Sequence, residues 1–92
     1  MSLNHPFEIL KVYPNIGNVT SDEGCIKFDI TSNVIWHVTS DSIWCKAADS
    51  QLGNGSFIAK FTENKGKERK ALLFIKGLNL NIHLTLIQEG KK

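Results

Sequence analysis

Apolar and polar residues alternate with a period of two along most of this chain, the spacing that lines one face of a β-strand. The clearest run sets Ile26, Phe28 and Ile30 against Lys27, Asp29 and Thr31, which turns Cys25 outward with the polar set. In the next strand, over 35–40, Trp36 and Val38 share one face and Ile35, His37 and Thr39 the other. Phe57, Ala59 and Phe61 alternate with Ile58, Lys60 and Thr62. A first strand sets Phe7, Ile9 and Lys11 against Glu8 and Leu10, and ends at Tyr13-Pro14; proline lacks a ladder donor, so this strand belongs at a sheet edge. Short strands are predicted over 16–20 and 43–47, the second with Trp44 inward and therefore Cys45 outward. The last two strands, 70–76 and 80–88, pair across Gly77-Leu78-Asn79. Both are apolar on both faces, with Leu72 and Phe74 against Leu73 and Ile75, then Ile82, Leu84 and Leu86 against His83, Thr85 and Ile87. That pattern fits central strands or an outward apolar patch.

Turn-forming residues punctuate these runs at 15–24, at Ser32-Asn33, over 39–42 and over 63–68, the last read as a polar hairpin turn. The segment 49–56, with Gly53-Asn54-Gly55, reads as the longest flexible connection and so as a place for a binding loop. No segment carries the i, i+3, i+4, i+7 stripe of an amphipathic helix. The fold class is all-β, an immunoglobulin-like β-sandwich of about seven to eight antiparallel strands, with a small open barrel as the competing architecture.

Ninety-two residues, 41% hydrophobic and 22% charged, suit one domain over 1–92, with Met1-Ser2-Leu3 reading as a vector-derived start. The net charge of +2 arises at 65–70 and at Lys91-Lys92. The first of these runs contains Glu68 and no aromatic, so it reads as a solvated loop, and no nucleic-acid partner is expected. No apolar stretch is long enough for a membrane helix, so no direct membrane insertion is expected, and a signal-peptide pattern is absent from the first residues. Cys25 and Cys45 leave open one disulfide or two free thiols; a bridge needs neighbouring strands with Cα atoms within about 7 Å.

Chemistry-bearing patterns are sparse. His5, His37 and His83 are too far apart for zinc-type spacing, and no metal or cofactor is expected. There is no G-x-S-x-G elbow, and the adjacent Asp22 and Glu23 would point apart in a strand, so the chain is read as not an enzyme. Trp36 reads as core. Trp44 is core or, alternatively, a flat platform for a sugar ring, with Asp41, Asp49, Gln51, Asn54 and Asn33 as candidate partners for the hydroxyls. Tyr13, before Pro14, more naturally packs its ring and exposes its hydroxyl.

Several fragments recur together: Tyr13-Pro14, the alternating strand closing in Ser32-Asn33, Trp36-His37-Val38, Trp44-Cys45-Lys46, Gly53-Asn54-Gly55, Asn64 followed by Arg69, and Gln88-Glu89-Gly90. In that combination, from about Tyr13 to Gly90, the chain resembles the BACON domain family, immunoglobulin-like modules of secreted Bacteroidetes proteins. Cys45, where an aliphatic is more typical, and a loop after Trp44 that is not Ser-Gly-rich are departures from the pattern. The resemblance implies a periplasmic, secreted or outer-membrane-surface module beside other domains, proposed for the family to bind carbohydrate such as mucin glycans. It also makes Asp41-Ser42-Ile43 resemble the O-glycosylation acceptor of that phylum. Three functions are therefore expected in order: a spacer, a glycan-binding module centred on Trp44, and a protein-interaction or adhesion module using an apolar face such as Leu73, Ile75 and Ile87.

Overall fold

Nine strands are laid out in two sheets in a computed structural model that describes residues 7–91. Met1-Ser2-Leu3, His5 and Lys92 lie outside the described residues. The strands are β1 (Leu10–Tyr13), β2 (Ile16–Val19), β3 (Gly24–Ser32), β4 (Ile35–Ser40), β5 (Cys45–Lys46), β6 (Asp49–Leu52), β7 (Gly55–Phe61), β8 (Arg69–Gly77) and β9 (Leu80–Gln88). One sheet has the order β1-β3-β7-β5 and the other β2-β9-β8-β4-β6. All pairs are antiparallel except β2 with β9, where Ile16 to Val19 run parallel to Thr85 to Gln88. The expected sandwich is present, with one more strand than predicted and one parallel edge.

Alternation explains the core. Phe28 and Ile30 of β3, Trp36 and Val38 of β4, Phe57, Ala59 and Phe61 of β7, Leu73 and Ile75 of β8, and Leu84 and Leu86 of β9 all turn into the space between the sheets. Phe28 and Phe57 stack with centroids 5.4 Å apart, and Trp36 tilts against Phe57 at 6.3 Å. The β8–β9 hairpin closes through Leu78, whose φ of 47° is left-handed. Gly77 before it faces the carbonyl of Ile35 so closely that a Cβ would lie 2.9 Å from that oxygen, which explains a glycine there. The Tyr13-Pro14 peptide is cis, at the exit from edge strand β1.

Four expectations are corrected, and the inward face of the first strand, which its pattern left open, is decided. In the first strand Leu10 and Val12 turn toward the core, whereas Phe7, Ile9 and Lys11 are exposed. In β5 the parity is also reversed: Cys45 and Ala47 are buried and Lys46 is exposed, while Trp44, in the turn before β5, is half-buried and packs against the edge of the core. A period-two pattern names two faces but not which one meets the opposite sheet, and in strands this short neither face holds enough apolar residues to decide. The 63–68 segment joins no hairpin, since β7 and β8 belong to different sheets. The 49–56 segment is not a long loop; β6 occupies half of it, and Gly53-Asn54 carries the chain from one sheet to the other. Leu73 and Ile75 are fully buried and offer no outward face, while Leu72 and Phe74 are their half-buried outer neighbours.

The two ends of the sandwich differ. At one pole, here the entry pole, residues 7–10, 32–35, 52–55 and 77–80 meet; at the exit pole, residues 19–24, 40–45, 61–69 and 88–91 meet. The chain enters beside Asn33, whose Nδ2 donates to the Phe7 carbonyl and whose Oδ1 accepts from the Ile9 N–H. After the nine residues of β9, about 30 Å of strand, it leaves at the opposite pole.

Candidate functional site

The exit pole holds a groove of about 510 Å³ on the outer side of the four-stranded sheet, where β5 is only two residues long. Trp44, Ile43, Lys46, Lys60, Thr62, Glu23 and Glu63 are among the residues that line it. Lys46 and Lys60 are direct cross-strand partners, and Cys25 follows Lys60 in the same row on β3. Ile43 is 93% exposed.

Trp44 is half-buried, and one face of its indole is covered by Arg69, whose Cζ lies 4.3 Å from the ring centroid. Arg69 is in turn held by four acceptors. Its Nε donates to Gln88 Oε1 at 2.8 Å, and its Nη2 donates to Thr62 O, Thr62 Oγ1 and Glu63 O. The fully buried Gln88 completes the link by donating from Nε2 to Thr62 O at 2.8 Å. Asn64, also buried, donates to Lys67 O and Glu89 O and accepts from the Gly66 N–H. Asn64, Arg69 and Gln88 thus form a polar lock that binds the 62–68 crossover to the end of β9. A hydrogen bond from Lys91 holds the Glu63 carboxyl below the usual carboxylate range.

The sequence-named residues fall into two groups at opposite poles. Trp44 and Asp41 are at the exit pole, but Asp41 belongs to the β4–β8 ladder: its Oδ1 accepts from the Leu72 N–H at 2.9 Å and from the Ser42 hydroxyl at 2.7 Å. These bonds, that from Ser42 first, hold the Asp41 carboxyl below its ordinary range. Asp49, Gln51 and Asn54 lie toward the entry pole. Gln51 Nε2 donates to Asp49 Oδ2 and Ser56 O, and Asn54 Oδ1 accepts from the Ser32 N–H, so these groups are already used in turning the chain between sheets. Asn33 is tied to Phe7 and Ile9, and Tyr13 is exposed at the edge of the other sheet. His37 Nδ1 is 2.6 Å from Ser50 Oγ, and the His83 ring tilts against Phe74. Residues that sequence reasoning left out of the site are Lys46, Lys60 and Thr62; the signal for Lys60 and Thr62 was their alternation with Phe57, Ala59 and Phe61, which became informative only once the pairing of β5 with β7 brought Lys46 and Trp44 beside them.

Cys25 is exposed and Cys45 buried, and both are free. β7 lies between β3 and β5, so the two cysteines sit two strand spacings apart, about 9–10 Å, and on opposite faces of the sheet. Burial pushes the Cys45 thiol up. A thiol-exchange titration at pH 8 is therefore expected to count one reactive thiol in the native protein and two after denaturation; two fast thiols in the native state would contradict the placement of Cys45.

Exposed apolar side chains gather at the entry pole, where Phe7, Ile9, Ile35, Leu52 and Leu78 come from adjoining segments and Ile35 and Leu52 are direct cross-strand partners. Among the described residues no helix is long and apolar enough to cross a membrane.

No family profile matches the chain, and no curated protein is similar to it in sequence. Solved structures are similar in fold. One is a Bacteroides ovatus GH5 xyloglucanase in complex with a XXXG heptasaccharide, matched with TM-score 0.83 and 18% identity over 91% of this chain and 19% of that one, so this chain spans less than a fifth of that protein. A second is a Bacteroides thetaiotaomicron protein solved by NMR, with TM-score 0.65 and 13% identity over 99% of this chain and 92% of that one. The third is a C. elegans MSP family member, with TM-score 0.59 and 11% identity over 92% of this chain and all of that one. The chain is an immunoglobulin-like β-sandwich domain.

Proposed function

We propose that this domain is a non-catalytic accessory module of a secreted, multidomain Bacteroidetes protein, of the BACON type, and that it works as a spacer. The observation that carries this reading is the position of entry and exit at opposite poles, about 30 Å apart along β9, so that neighbouring domains would be held apart. The apolar entry pole gives a preceding domain a surface to abut, and the charged exit pole stays solvated. The BACON motif combination and the Bacteroides source of two similar structures support the periplasmic or cell-surface setting. Placed between a donor and an acceptor fluorescent protein, the module is expected to give lower energy transfer than a ten-residue Gly/Ser linker, which spans roughly 17 Å. Transfer equal to or above that of the flexible linker would mean that the neighbours fold back, and the spacer reading would fail.

A second reading, glycan contact, is favoured by one observation: the exposed part of Trp44 lines a groove whose size is in the range of small-ligand sites.

A further inference from the structure

Lys46 and Lys60 stand directly opposite each other in an antiparallel pair and line the same groove. Like charges in that position repel, and a sheet ordinarily avoids them or places a carboxylate between them. Among the described residues the ion pair present is Lys91 with Glu63, which leaves the two lysine ammoniums facing the groove without a carboxylate partner within 4 Å. The rest of the lining is of a different kind. The open part of the Trp44 indole, Phe61 and the exposed Ile43 supply apolar surface, Thr62 a hydroxyl, Glu23 a carboxylate that accepts hydrogen bonds, and Glu63 a second carboxylate that is already paired with Lys91.

We infer that this groove binds an anionic saccharide, a sugar ring carrying a carboxylate or a sulfate ester. Each part of such a ring meets a fitting group: the acidic substituent lies between Lys46 and Lys60, the C–H face rests on Trp44, and ring hydroxyls donate to Glu23 and to Thr62 Oγ1. Arg69 contributes indirectly, since its place over one face of the indole fixes the ring's orientation. Glu23 and Glu63 in the lining work against a dense polyanion such as nucleic acid, whose phosphates they would repel. This inference rests on the glycan-contact reading above and narrows it to one charge class.

The test is titration of the protein's tryptophan fluorescence with an oligogalacturonate, a chondroitin sulfate oligosaccharide and a neutral cello-oligosaccharide, at low and high salt. Trp44→Phe serves as the blank, because Trp36 is fully buried. The expected result is a saturating Trp44 signal with one or both acidic sugars and at least tenfold weaker binding of the neutral one. Lys46→Gln and Lys60→Gln should each lower the affinity at least threefold, and Lys65→Gln with Lys67→Gln, on the exposed loop outside the groove, should leave it unchanged. The carboxylate and sulfate arms tell the two anions apart. Equal binding of the neutral sugar, unaffected by the lysine changes, would overturn the charge assignment and leave the glycan reading standing. No response to any sugar would remove both. A loss in the loop variant as large as in the groove variants would reduce the effect to general attraction and overturn the inference.

Discussion

Trp36→Ala is expected to be the most damaging single change in this domain. The indole is fully buried between the sheets, packs against Phe57, and donates from Nε1 to the Gly53 carbonyl at 2.8 Å. Its removal leaves a cavity at a cost of about 3–5 kcal/mol. It also releases the Gly53 carbonyl, at the two-residue passage from β6 to β7, for about 1 kcal/mol more. A domain of this size has a total stability of roughly 5–14 kcal/mol. The variant should therefore lose roughly 15–45 °C in melting temperature. Trp36→Phe separates the two contributions, since it keeps much of the volume and loses the N–H, and it should cost about 1–2 kcal/mol. Urea denaturation of the three proteins measures this. If Trp36→Ala fell within about 1 kcal/mol of the parent, the packing described for this core would be wrong.

Gln88→Leu is expected to follow in severity although it removes no apolar contact. Gln88 is fully buried and uses both ends of its amide, accepting from Arg69 Nε and donating to Thr62 O. A leucine of similar volume leaves a guanidinium donor and a carbonyl short of partners in a partly buried place, which costs about 2–4 kcal/mol. The change should also release Arg69 from its place over Trp44, so acrylamide should quench Trp44 more strongly in the variant than in the parent. A double-mutant cycle with Arg69→Leu should give a coupling of about 1–2 kcal/mol. Zero coupling, with unchanged quenching, would show that the two side chains act independently.

These two positions separate what was legible in the sequence from what was not. Trp36 could be assigned to the core from its parity with Val38, because β4 shows a consistent inner face. Gln88 could not, because a glutamine at the end of an alternating strand reads as solvent-facing until its partners on the 62–69 segment are brought to it. Of the fragments that carry the family resemblance, Arg69 and Gln88 prove to be directly hydrogen-bonded, and Asn64 ties the same 62–68 segment to Glu89 beside them. The candidate site divides in the same manner. Trp44 was named for its chemistry, but Asp49, Gln51 and Asn54 were grouped with it by closeness in sequence, and β6 runs away from Trp44 to the switch of sheets at Gly53-Asn54, at the other pole.

By itself the sequence determined that the chain is all-β, that β3, β4 and β7 bury Phe28, Trp36 and Phe57 with their alternating neighbours, and that β8 and β9 form a hairpin. Those are local periodicities, strong wherever a strand is long enough to repeat its pattern. Only the tertiary structure decided which sheet each strand joins, that β2 runs parallel to β9, that Cys45 faces in, and that Lys46 stands beside Lys60 in the lining of a groove. Such features depend on pairing between segments far apart in the chain. In two- to four-residue strands the burial of one face rather than the other is set by the opposite sheet, not by the strand's own pattern.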